Sequence, residues 1–414
     1  MNIGILALGG RKSIGTAYYV INLVKALKTL PADERPTITL IEDADTDRED
    51  FQEIHTRVDR VDARRESGGS RLTVLIGRSV APFLTAVPGA LSMARRYQKR
   101  IRTASRDALA QRLASDSVDV IFPCVWSMGV SFPTPWIPWI WDLQHKYYPD
   151  FFPSEEIVSR DRRISDMLSE AAIVVTSSDS ARRDIEKHWP EYAGKVHILH
   201  FRSVPEPGWF LHDFSEVGRR YGLPDKYLIL PNHFSVHKNH RVAFEAMKAL
   251  RDRGLDVVLV CTGNTTNMQN LRHVGELRQY LNENHLNDRV RILGFIPRAD
   301  QIQLIRSAAA VLQPSLFEGW STLVEDSRML GKTLFLSDIA VHREQEPAYA
   351  HYFDPQSVEA LVSTIASVWD ELPRGGSREH ETEAWRIQGS LVTDYARAFL
   401  RIADEAVARG RASG

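Results

Sequence analysis

AVLQPSLFEGWSTLVEDSRMLGK, residues 310–332, reads as a strand, a turn and a helix in succession. Its opening apolar run is short and unbroken, as in a strand covered on both faces of a parallel sheet. Leu323 begins a helical spacing that Gly331 can end, because glycine tolerates the left-handed turn after a helix. Between strand and helix stands Glu318, with Glu325 and Asp326 following. Carboxylates beside a packed core need water, a backbone partner or a ligand. Thr322 and Glu325 have the spacing of a capping box, which would satisfy Glu325 locally. Glu318 and Asp326 have no such local explanation. They can flank one helix N-terminus, where the amides of Trp320, Ser321 and Thr322 would receive a phosphate.

The same alternation extends through the chain. NIGILAL, TITLI, VDVIF, IPWIW, AIVVTS and VHILHF mark strands in the first half; YLILP, DVVLVCTG, VRILG, AVLQPS and TLFLS mark them in the second. Helical patterns separate them, so two series of parallel strands are predicted, each a doubly wound α/β domain. A chain of 414 residues also exceeds one ordinary core. The proline- and glycine-rich stretch from Ser203 to Lys226 is the expected boundary. Residues 1–205 form the first domain, 206–390 the second, and 391–414 a terminal helical segment with Leu391, Tyr395, Phe399 and Ile402 on its apolar side. Ligands of open α/β sheets lie at the carboxyl ends of the strands, so the cleft between the domains is the expected site.

Composition narrows the function classes. A formal net charge of -1 supplies no field for nucleic acid, so an anionic ligand must be held by a local site. Cys124 and Cys261 both sit in apolar runs and read as small buried hydrophobes rather than a disulfide framework. MNIGILALGG lacks the basic flank and cleavage site of a secretory signal, and no apolar run is long enough to span a bilayer. A cytoplasmic protein is therefore expected.

Residues 314–332 resemble the segment PSxxEGFGxPxxEAxAxG of glycosyltransferase family 4, retaining enzymes of GT-B fold. Glu318 matches the first acid. Asp326 stands at the second, immediately after Glu325, which leaves open which of the two reaches a ribose. The resemblance continues in order along the chain. LPNHFSVHKNH resembles the loop that clamps a diphosphate, with Lys238 at the family lysine and His233 at the usual arginine. An imidazole cannot fork two oxygens and titrates near neutrality. Phe295 and Ile296, after RILG, match the backbone that contacts the base; Gly15, in LGGRKSIGTAYY, matches the glycine of the donor loop. WIWDLQHKYYPDFF resembles the acceptor-facing segment, but Trp141 replaces its histidine, and His145 is the candidate substitute. Lys238 as a solvated loop lysine and His145 as a satisfied loop-base histidine are the competing readings.

What the resemblance implies is two facing Rossmann-like domains with a C-terminal helix crossing back to the first. It implies transfer of a hexose from a nucleotide diphosphate sugar to a glycan or lipid-linked acceptor, in cell-surface polysaccharide synthesis. The catalytic candidates are Glu318, Lys238 and His145. The donor candidates are Gly15, His233, Lys238, Phe295, Ile296, Glu318, Gly319, Trp320, Ser321, Thr322, Glu325 and Asp326. No cofactor and no metal are expected, because the Asp-x-Asp at a strand end, 43–45, lies far from residues 314–332. Residues 81–113 place an apolar stretch before Arg95, Arg96, Lys99 and Arg100; they read either as a solvated face or as a peripheral contact with the inner face of a membrane. The alternatives are a nucleotide-sugar epimerase of similar fold, a degenerate glycan-binding protein, and an NAD-dependent dehydrogenase. The last is opposed by the wrong spacing of Gly9, Gly10 and Gly15 for a dinucleotide fingerprint.

Overall fold

The computed structural model of the protein describes residues 1–10, 14–42, 46, 48–63, 106–211, 214–266 and 270–412. Two parallel sheets organise it. The first has seven strands in the order β3-β2-β1-β4-β5-β6-β7: Asn2–Leu6 (β1), Thr37–Ile41 (β2), Arg60–Asp62 (β3), Val120–Cys124 (β4), Trp136–Ile140 (β5), Val174–Thr176 (β6) and Val196–Ile198 (β7). The second has six, β10-β9-β8-β11-β12-β13: Leu228–Pro231 (β8), Leu259–Thr262 (β9), Val290–Gly294 (β10), Ala310–Gln313 (β11), Leu334–Ser337 (β12) and Ala350–Phe353 (β13). In each sheet the central strands β1, β4, β8 and β11 are almost wholly buried, which is why they read as unbroken apolar runs.

The strand orders place a switch point in each sheet, between β1 and β4 and between β8 and β11. Consecutive connections diverge there and open a crevice beyond the strand ends. The loops after β1, β8 and β11 all leave from these two points, so the site position follows from the topology.

The closing helix spans Arg378–Ala412 without a break, where the sequence predicts a separate segment from residue 391. Its first part stays with the C-terminal lobe: Glu381 pairs with Arg306 at 2.7 Å, and His380 stacks on Tyr349 with centroids 3.6 Å apart. From Val392 onward, with Tyr395, Phe399 and Ile402, it completes the N-terminal core against helix Ile14–Thr29. One helix thus ties both lobes together, because its apolar stripe changes partner part-way along. No described helix is long and apolar enough to cross a membrane. Residues 43–45 and the stretch 81–105 lie outside the described residues.

Candidate active site

Strand β11 delivers the chain to Glu318, and the helix that follows runs Thr322–Met329. Its cap is Ser321, one residue earlier than the sequence spacing suggests; the Ser321 hydroxyl accepts the Val324 amide at 3.4 Å. Glu325 therefore falls too far along the first turn to reach back to the cap. Gln345 reaches it instead, its Oε1 accepting the Ser321 amide at 3.3 Å and its Nε2 donating to the Ser321 carbonyl at 3.0 Å. The capping box expected of Thr322 and Glu325 is thus replaced by a side chain from helix Ala340–Gln345. Glu325 is fully buried and paired with Arg202 at 2.8 Å, with Gln345 donating to its other oxygen at 3.0 Å.

The loop after β8 is bound to the loop after β11. The Leu316 amide donates to the His237 carbonyl at 2.8 Å, and Asn239, in a left-handed conformation at φ 55°, donates to the Pro314 carbonyl at 3.1 Å. These bonds bring Lys238 Nζ to 2.6 Å from Glu318, which also accepts Gln313 Nε2 at 2.8 Å. Burial alone would raise the Glu318 carboxyl. Lys238, and after it His237, outweigh that, so its pKa lies below the ordinary glutamate value. The group is an anion across the neutral range. His233 is pushed down by burial and then by Lys238, so it is an uncharged imidazole at neutral pH. Its Nδ1 accepts the Asn264 amide at 3.3 Å.

Between the lobes lies a cavity of about 420 Å³, a size typical of small-ligand sites. Every expected donor residue except Glu325 lines it: Gly15, His233, Lys238, Phe295, Ile296, the run Glu318 to Thr322, and Asp326. Asp326 is held at 2.7 Å by both Ser203 Oγ and Arg298. Of the two candidate ribose acids, then, Asp326 faces the cavity and Glu325 is consumed by structure. Gly15 stands at the start of helix Ile14–Thr29 with open space where a Cβ would go. Gly319 is the opposite case. A Cβ there would collide with the Trp141 carbonyl and come within 2.9 Å of Asp142 Cβ, so only glycine lets the two lobes meet at this point.

His145 does not line the cavity. The short helix Gln144–Tyr147 turns its ring into the N-terminal lobe, where Nε2 meets Asp161 at 2.8 Å and the residue is 2% exposed. Trp141 and Asp142 occupy the cavity wall instead. His145, the candidate substitute for the family histidine, thus stands behind the wall, carried there by a helical turn three residues beyond Asp142.

Two contributors have no place among the sequence candidates. Arg298, the first residue of helix Arg298–Ser307, is a cation of the cavity, lying over Tyr18 at 4.7 Å. Its place two residues after the Phe295–Ile296 step, beyond Pro297, is the available signal. The segment His200–Ser203 reads in sequence only as strand end and boundary. His200 stacks on Trp320 with centroids 4.6 Å apart, the Phe201 carbonyl accepts the Trp320 indole at 3.1 Å, Arg202 holds Glu325, and Ser203 holds Asp326. Four successive residues of the N-terminal lobe thus anchor the loop and helix that carry the acids. Removing one partner of a buried ion pair leaves a stranded charge. Arg202→Met is expected to lower stability by about 2–3 kcal/mol, Gln345 and Arg328 softening the loss, as read from the urea midpoint. A midpoint equal to wild type would show that Glu325 does not depend on Arg202.

Residues 219–378 match the family model described as Glycosyl transferases group 1, a stretch that contains the whole second sheet, Lys238 and Glu318. The match supports a transferase. No curated protein matches the chain significantly. Among solved structures, Anabaena HepE in complex with UDP and glucose is similar at 14% identity and TM-score 0.64, covering 97% of this chain and 98% of its own. A glycosyltransferase from Rickettsia africae has the same identity and TM-score, with 98% of both chains covered. Sucrose-phosphate synthase from Thermosynechococcus elongatus follows at 16% identity and TM-score 0.62, covering 97% of this chain and 96% of its own. At these identities the likeness is one of fold: two facing parallel-sheet lobes in the GT-B arrangement. Family match and fold together support a GT-B glycosyltransferase.

Proposed function

We propose that the protein is a retaining glycosyltransferase of family 4 that moves a hexose from a nucleotide diphosphate sugar to a glycan or lipid-linked acceptor, in the assembly of a cell-surface polysaccharide. The observation that carries this reading is the convergence of Lys238, Glu318 and the Ser321-capped helix end on one interlobe cavity at both switch points. A diphosphate leaving group gains negative charge as the glycosidic bond breaks. A lysine and a helix N-terminus are the groups that stabilise it. Glu318 faces the sugar as an anion, and Asp326, fixed by Arg298 and Ser203, holds the ribose. Backbone at Phe295 and Ile296 receives the base. Open space at Gly15 admits the diphosphate to the N-terminal helix start. HepE, of similar fold, binds UDP, which favours a nucleoside diphosphate here.

Incubating the protein with UDP-, GDP- and ADP-hexoses tests the proposal. The expected products are free nucleoside diphosphate and transferred or hydrolysed sugar. Recovery of an epimerised nucleotide sugar instead would make the protein an isomerase, and no reaction with any donor would count against catalysis of this kind.

A further inference from the structure

The aromatic residues that line the cavity differ in what their polar atoms are already bound to. The Trp139 indole donates to Ser177 Oγ at 2.8 Å, and the Trp320 indole and the Tyr19 hydroxyl donate to the Phe201 and Leu199 carbonyls, each at 3.1 Å. Tyr18, half-buried on the same wall, is not committed in this way. Its hydroxyl has no hydrogen-bond partner among the described residues. On the opposite wall Asp326 is committed through one oxygen only. Ser203 Oγ and Arg298 both meet Oδ1 at 2.7 Å, and Oδ2 has no partner among the described residues.

One cation joins these two groups. The Arg298 guanidinium lies 4.7 Å from the centre of the Tyr18 ring and pairs with Asp326, so an uncommitted hydroxyl of the N-terminal lobe and an uncommitted carboxylate oxygen of the C-terminal lobe flank the same side chain. A carboxylate oxygen only accepts, whereas a phenol both donates and accepts. Together they match a vicinal diol. We propose that Tyr18 is a nucleotide-binding residue that reads the ribose jointly with Asp326: one ribose hydroxyl donates to Asp326 Oδ2, and its neighbour hydrogen-bonds the Tyr18 hydroxyl. This deepens the glycosyltransferase reading and rests on it. It adds a ribose contact from the lobe opposite the acid.

The order of groups along the two walls agrees with this. Gly15 and Tyr18 are three residues apart on helix Ile14–Thr29, so they share a face and stand about 4.5 Å apart along its axis. Across the cavity, Asp326 lies little more than one turn beyond the Ser321 cap of helix Thr322–Met329. A nucleoside diphosphate presents its phosphates first and its ribose next, one carbon further on. Gly15 and the capped helix end meet the phosphates, and Tyr18 and Asp326, each about a turn deeper, meet the ribose. Burial raises the Tyr18 pKa, Arg298 works against that and Asp326 adds to it; the net shift is upward, so the hydroxyl keeps its proton across the neutral range.

The test needs neither the sugar nor the acceptor to be identified. Calorimetric affinities of wild type and Tyr18→Phe are measured for UDP, GDP and ADP, and then for the 2′-deoxy and 3′-deoxy forms of whichever binds best. Wild type should prefer the ribonucleotide over both deoxy forms. Tyr18→Phe is expected to bind the ribonucleotide roughly three- to tenfold more weakly, yet to bind one of the two deoxy forms within about twofold of wild type, since that form already lacks the hydroxyl Tyr18 reads. With the matching nucleotide hexose, KM should rise in step with the dissociation constant while turnover at saturation holds within about twofold, because the contact is made equally in the ground and transition states. Equal weakening of the ribonucleotide and both deoxy forms would overturn the assignment, by making Tyr18 a packing residue of the cleft. So would an unchanged ribonucleotide affinity in Tyr18→Phe, or a wild type that binds nucleotide and favours neither ribose hydroxyl. These outcomes remove Tyr18 alone. A wild type that binds none of the three nucleotides removes the nucleotide-sugar reading itself, and this assignment with it.

Discussion

Glu318→Gln is expected to slow sugar transfer by roughly two to three orders of magnitude while leaving the fold intact. The substitution keeps the volume and a hydrogen-bonding group for Gln313, but removes the negative charge that Lys238 and His237 maintain on a buried side chain. The sugar gains positive character as the bond to the diphosphate stretches. A fixed anion beside it therefore stabilises the transition state more than the ground state, which makes the loss appear in turnover. Nucleotide affinity should hold or tighten, since an anion near the diphosphate is gone. Because Glu318 is depressed below the ordinary glutamate range, its charge persists through mild acid and fades only as pH falls through that lowered value. Rates within threefold of wild type, measured with the preferred donor, would remove Glu318 from the chemistry.

Lys238→Met is expected to show the complementary pattern. A charge-assisted contact to a phosphate contributes about 1.5–3 kcal/mol, so the dissociation constant for the nucleoside diphosphate should rise roughly 10- to 100-fold. His233 cannot compensate, being neutral, and Arg298 is occupied by Asp326. A second consequence follows for Glu318. With its cation removed, burial prevails and its carboxyl moves upward, so the variant should lose activity at mildly acidic pH where wild type retains it. The pair stands inside the cavity with side-chain exposures of 18% and 8%, so solvent screening is modest.

Much of the fold could be read from the chain because central strands of parallel sheets are apolar throughout. The runs ending at Leu6, Cys124, Pro231 and Gln313 needed no partner information. β3 and β13 left no such trace. Arg60–Asp62 and Ala350–Phe353 are edge strands, half open to water, and their polar residues break the apolar pattern. The cap at Ser321 escaped because Gln345 completes it from a distant helix, a contact no local spacing encodes. The same holds for Arg298 and for His200–Ser203, whose partners lie more than a hundred residues away in the second case. The placement of His145 behind the cavity wall was not legible, because spacing along a chain says nothing about which side of a wall a helical turn will face. By contrast, Glu318 and Lys238 were found from separate stretches, and the adjacency of β8 and β11 brings them together.

The most direct measurement is a calorimetric titration of wild type and Lys238→Met with UDP, GDP and ADP. If the interlobe cavity is a nucleotide diphosphate site, wild type binds one of them saturably at a single site below about 1 mM, and the variant binds it at least tenfold more weakly. Absence of saturable binding by all three, or equal affinity in the two proteins, would contradict that role for the cavity.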